Sequence, residues 1–144
     1  MLERALINFD VGVPGAIWRV VLGFLLVPSL RVFGVEPGLW TLALSLLSIL
    51  FGVKVVAVVA RRAVPATAVV RSHWEWRRNL ARYHDSYQWR KLLWIGIGLA
   101  MGGAFGNPET GSQWVLGAVC ILSGGAAEML WRRHGLGVAP PSAA

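Results

Sequence analysis

The sequence predicts an all-α integral membrane protein with four transmembrane helices. They form two tandem helical hairpins, and an amphipathic interfacial helix joins helices 2 and 3. Three observations predict this. Of 144 residues, 56% are hydrophobic and only 15% charged, whereas soluble domains carry about 25% charged residues. Four apolar runs have the length of a bilayer crossing. Lysine and arginine gather on alternate connections between those runs.

The runs lie at roughly 16–34, 39–60, 89–106 and 114–131. Each has about 18–22 residues, near the ~20 needed to cross ~30 Å of hydrocarbon. They should be helices, because lipid offers nothing to hydrogen-bond a bare backbone. Pro28 should kink or loosen the first. The first run begins late, near Ala16, and is followed by Arg31 rather than a small-residue cleavage site. It is therefore expected to remain in the chain. The single membrane domain reads as hairpin 16–60, a basic amphipathic segment 61–88, hairpin 89–131 and a tail 132–144.

Orientation follows from the basic residues. Arg61, Arg62, Arg71, Arg77, Arg78, Arg82, Arg90 and Lys91 lie in or beside the long connection; Arg4, Arg132 and Arg133 lie near the termini. The short connections 35–38 and 107–113 hold Glu36 and Glu109 and no Lys or Arg. The positive-inside rule then places both termini and the long loop in the cytoplasm. Arg31 is the basic residue near the other face, where it can snorkel outward. Trp18, Trp89, Trp94 and Trp131 fall at one expected boundary, and Trp40 and Trp114 at the other. Such belts suit indole, which is apolar with one N–H.

The two halves resemble each other. Trp18-Arg19 matches Trp89-Arg90, Phe33-Gly34 matches Phe105-Gly106, Trp40 matches Trp114, and Arg61-Arg62 matches Arg132-Arg133, a period of about 71–74 residues expected of a parallel repeat. Lys54 and Glu128 fall in register, each 14 residues after its tryptophan. A charge inside a span is costly and draws a functional hypothesis. Three readings suit this pair: side chains snorkelling to water, a Lys54–Glu128 ion pair, or part of an ion pathway.

Glycine sets the expected packing. Gly98, Gly102 and Gly106 recur every four residues, with Ser48 and Gly52 on the second run and Gly117, Gly124 and Gly125 on the fourth. Small faces let helices approach closely, within one bundle or between subunits. Cys120 excludes an internal disulfide and any cysteine metal cluster, and is expected to pack as a small residue.

Pro65 opens the basic segment. On a helix, Val69, His73, Trp76, Leu80, Tyr83 and Tyr87 share one face, opposite Arg71, Glu75, Arg78, Arg82 and Asp85. Such a helix should lie among anionic headgroups, offering Arg71, Trp74, Trp76, Arg77, Arg78 and Arg82 to lipid or a partner. No nucleic-acid motif accompanies the arginines. His73 and His84 would sit about 16 Å apart on a helix, too far to share a metal ion. No cofactor or metal is expected.

No nucleophile–base pair, P-loop or CxxC is present, so no catalysis is expected. The function expected is a non-catalytic accessory or scaffold subunit of a larger bacterial inner-membrane complex, contacting anionic lipid and other subunits. The alternative is a small oligomeric transporter or channel, for which the tandem hairpins and the Lys54/Glu128 register speak.

Overall fold

A computed structural model describes residues 13–63, 67–68, 71–76, 89–106 and 111–133. These residues are helical throughout apart from short turns, with no strand among them. Four helices carry the fold: α1 (Val13–Val32), α2 (Leu39–Ala63), α3 (Lys91–Phe105) and α4 (Gly111–Arg133). A short helical stretch covers 71–76. Three of the four, α1, α2 and α4, are long and apolar enough to cross a membrane. The third expected span is different. α3 has 15 residues, about 22 Å at 1.5 Å per residue, short of a ~30 Å core.

The turn after α1 shows how glycine ends a helix. Gly34 takes φ 71°, a left-handed conformation that suits a residue without Cβ. Its N–H donates to the Arg31 carbonyl at 2.9 Å, and the next N–H, of Val35, reaches back to Leu30 at 2.9 Å. These two bonds close a Schellman cap. Gly106, its counterpart in the repeat, instead takes an extended conformation with φ −99° and ψ −170°. A Cβ there would meet the Gly102 carbonyl of its own helix and no other element. Gly106, expected to pack helices, thus ends one.

α3 is the central helix, with α1 against one face and α4 against another. The first crossing is built on two glycines. A Cβ on Gly23 would strike the Ile95 carbonyl and approach the Leu99 nitrogen; a Cβ on Gly98 would strike the Val20 carbonyl and approach the Phe24 nitrogen. The contact is reciprocal: Val20, Gly23 and Phe24 do to α3 what Ile95, Gly98 and Leu99 do to α1. The two triads are 75 residues apart, up to a helical turn longer than the sequence period. One step along, Gly102 abuts the Phe24 carbonyl, so the two helices run parallel.

α1 stays helical through Pro28. A proline has no N–H to give the carbonyl four residues back, which is that of Phe24. The ungiven bond leaves the Phe24 oxygen against Gly102, where a Cβ would lie 3.1 Å from it. The Cα–H groups of glycine suit such a backbone contact.

The second crossing is antiparallel. Gly124 lies against Leu93, Gly96 against Ile121 and Gly117, and Gly103 against the Trp114 indole. The buried residues of α4 are Gln113, Gly117, Cys120, Gly124 and Ala127, a run of steps of four and three that forms a narrow seam. Together the helices bury Leu26, Val27, Leu42, Leu46, Ile95, Leu99 and Cys120 as one core.

The tight partner of α1 is therefore α3, where the hairpin reading paired α1 with α2. In the Trp40/Trp114 register, Gly117 and Gly124 correspond to Ala43 and Leu50, so α2 lacks the gaps that let α4 close on α3. α2 contributes Leu42 and Leu46 to the core. Beyond them it parts from the bundle: Phe51, Val53, Val55, Val56, Val58 and Val59 are all exposed, and these positions circle the helix.

Candidate functional site at the basic end of the bundle

Parallel α1 and α3, with α4 running back, bring three helix termini together. The start of α1 carries Trp18 and Arg19, the start of α3 carries Arg90 and Lys91, and the end of α4 carries Trp131, Arg132 and Arg133. Arg31 and Glu36 lie at the opposite end of α1, in or just after its last turn. Among the described residues of α1, α3 and α4, the cations other than Arg31 thus gather at one end.

Glu128 organises that end. It sits on α4 one turn before Arg132, whose Nε donates to Glu128 Oε1 at 2.9 Å. Arg90 approaches the other oxygen, Nη1 to Oε2 at 3.6 Å, from the N-cap of α3. The Arg90 guanidinium also lies over the Trp131 indole, 5.6 Å from its centroid. Arg90 and Glu128 are about a quarter exposed, whereas the Arg132 side chain is 78% exposed.

This corrects the expected ion pair. Lys54 is exposed on α2, and Glu128 spends both oxygens on arginines. The repeat puts the two in register along the chain, but register does not bring helices together, and α2 is the helix that stands apart.

Arg19 entered the sequence reading only as part of the repeat, and its burial was not foreseen. It is 7% exposed, donates to the Gly15 carbonyl one turn back and stacks on Trp18 with 4.9 Å to the ring centroid. Such stacking stabilises a desolvated guanidinium. Gln113 was also passed over as a turn residue. It is 2% exposed, and its Nε2 donates to the Leu99 carbonyl at 2.9 Å, from the first turn of α4 to the middle of α3. Its spacing to Gly117, Cys120 and Gly124 marked it as part of the seam.

No protein-family model, curated protein or solved structure matches the chain.

In the 71–76 stretch, His73 and Trp76 are buried, at 3% and 9% exposure, their rings 5.4 Å apart. Arg71 and Glu75 are exposed, and Trp74 is intermediate. The two faces divide as the periodicity predicts. Trp76, expected to face lipid or a partner, is instead covered within the chain. Arg77, Arg78 and Arg82 lie outside the described residues, as do His84 and His134. Among the described residues no three His, Cys, Asp or Glu side chains cluster as metal ligands.

Proposed function

We propose that this chain is a non-catalytic subunit of a larger bacterial inner-membrane complex. It would cross the membrane four times as two hairpins, with both termini in the cytoplasm. The short α3 would be seated between α1 and α4, and the basic segment after α2 would rest on anionic lipid.

The observation that carries this is the free stretch of α2. Three helices interlock through glycine, and the fourth leaves them with apolar side chains on every side. Ser48 and Gly52 are one turn apart on it, and a Cβ on Gly52 would meet nothing within 4 Å. A notch of that kind gains little from fluid acyl chains and much from the backbone of another helix. Lys54 and Glu128 do not meet, and the Ser123 hydroxyl donates to the Val119 and Cys120 carbonyls of its own helix. A permeation path has little polar lining here to draw on.

The test is native mass spectrometry of the tagged chain, extracted mildly from its own membrane. Discrete heavier complexes are expected, and Gly52→Leu should deplete them while the isolated subunit keeps its thermal stability. A lone monomer or a pure homo-oligomer would overturn the assignment and return transport to first place, with liposome flux as the next measurement.

A further inference from the structure

We propose that the stripe Leu47, Phe51, Lys54 and Val58 on α2 docks a transmembrane helix of another subunit, and that this helix carries an aspartate or glutamate facing Lys54. The inference rests on the multi-subunit reading above and names the chemistry of one partner.

Lys54 is exposed on α2, and among the described residues it has neither a hydrogen bond nor an ion pair. Its neighbours on the helix face are hydrocarbon. Leu47, Phe51 and Val58 share that face with it at steps of four, three and four, and all three are exposed. Depth decides what can answer the charge. In the membrane reading Trp40 marks one boundary, and Lys54 lies 14 residues on, about 21 Å into a ~30 Å core. A lysine near a boundary snorkels to water, but this one starts in the wrong direction. A Cα–Cβ bond leans toward the N-terminus of its helix, here toward Trp40 and the bilayer centre. Arg62, eight residues further and about 12 Å along the axis, already supplies a cation at the end of the helix. An ammonium held in hydrocarbon is costly without an opposite charge. A carboxylate at the same depth cancels that charge and accepts a strong hydrogen bond from it.

A second copy of this chain does not supply that carboxylate. Glu128 is the one acidic residue in α1 to α4, and both its oxygens are engaged, by Arg90 and Arg132. The contact is also separate from the one argued for Gly52. Two residues of helix put Lys54 almost half a turn away from Gly52, so the two sides of α2 can be tested apart.

The experiment uses the full tagged chain in its own membrane, with photoreactive p-benzoyl-phenylalanine in place of Phe51, one turn from Lys54. Light-induced adducts are mapped by mass spectrometry. The expected adduct lies on another protein, within about a turn of an aspartate or glutamate inside an apolar span. Losing one member of a buried charge pair weakens association by about thirtyfold or more, so Lys54→Met should remove the adduct and Lys54→Arg should keep it. Lys54→Glu should remove it too, and exchanging the mapped carboxylate for lysine should restore it. Lys54 makes no bond within the described fold, so Lys54→Met should leave the thermal stability of the isolated chain unchanged; a fall would assign Lys54 to the fold and overturn the proposal. Adducts on lipid alone, on a second copy or on a span without a carboxylate would each refute it, as would an adduct indifferent to Lys54→Met. Heavier complexes that form without regard to Lys54 remove this inference alone. Absence of any heavier complex removes the multi-subunit reading as well.

Discussion

At the scale of single residues, the glycines divide into those that hold helices together and those that do not. Gly23 and Gly98 have no room for a methyl group, because each faces the backbone of the other helix and backbone cannot swing aside. Gly23→Ala and Gly98→Ala should each destabilise the fold by about 1–3 kcal/mol. Gly52→Ala meets nothing and should stabilise its helix by about 0.5–1 kcal/mol. Thermal unfolding in a mild detergent checks both, and equal effects at the two kinds of site would refute the crossing. Gln113→Leu should cost about 1 kcal/mol, since a hydrogen bond between membrane helices is worth that order. For Glu128, a double-mutant cycle with Arg132→Gln should show a coupling of about 0.3–0.5 kcal/mol, as for exposed i,i+4 pairs. The same cycle with Lys54→Met should be additive. Sequence spacing pointed to Gly98 and Gly102 because small residues four apart are a packing signal in themselves. Gln113 was harder to see. An amide beside a turn looks like surface until its neighbours on the helix face are read with it.

At the scale of elements, the helices were legible because apolar runs of this length have one stable form in lipid. α1 and α4 each begin three residues before the expected spans, and α2 runs three beyond. The choice of partners was less legible. An apolar face says that something covers it, not which helix does. Here the choice rests on where side chains are missing, and α3 has gaps on two faces, Gly98 toward α1, Gly96 and Gly103 toward α4, with Gly102 between Phe24 of α1 and Gln113 of α4. The short connection between α1 and α2 made them neighbours in the chain, yet Ala43 and Leu50 stand where α4 has glycine. It follows that Gly124→Leu should loosen α4 from α3, because a side chain there runs into the Leu93 backbone. Cross-linking between cysteines placed at 90 and 128, which meet across the same crossing, should fall with it.

At the scale of the whole molecule, the parallel α1–α3 pair is the joint between the two halves, and it does not depend on the chain running unbroken between them. Cutting the connection at 64–66 and producing both pieces together should give a complex that co-purifies through a tag on either one. Gly98→Leu should separate the pieces. Co-purification that survives Gly98→Leu would mean that other contacts join the halves. The charge asymmetry along the chain was plain in the sequence. That the same asymmetry gathers three helix termini into one cluster was not, because it requires knowing that α1 and α3 run in the same direction.

The placement of α3 bears on how the protein is made. The helix on which α1 and α4 both rest is the shortest, and its 15 residues include Gly96, Gly98, Gly102 and Gly103, so it is ill suited to stand in a bilayer unaccompanied. During synthesis, α1 emerges first and must wait for more than 70 further residues, several seconds at roughly 5–20 residues per second, before its partner is complete. Through that interval its crossing face is open to whatever chaperone or insertase attends the nascent chain. The structure closes only when α4 has been released behind α3. A chain truncated before Gly111 would therefore carry every residue of the first crossing and still present an unfinished bundle, a natural target for membrane proteolysis.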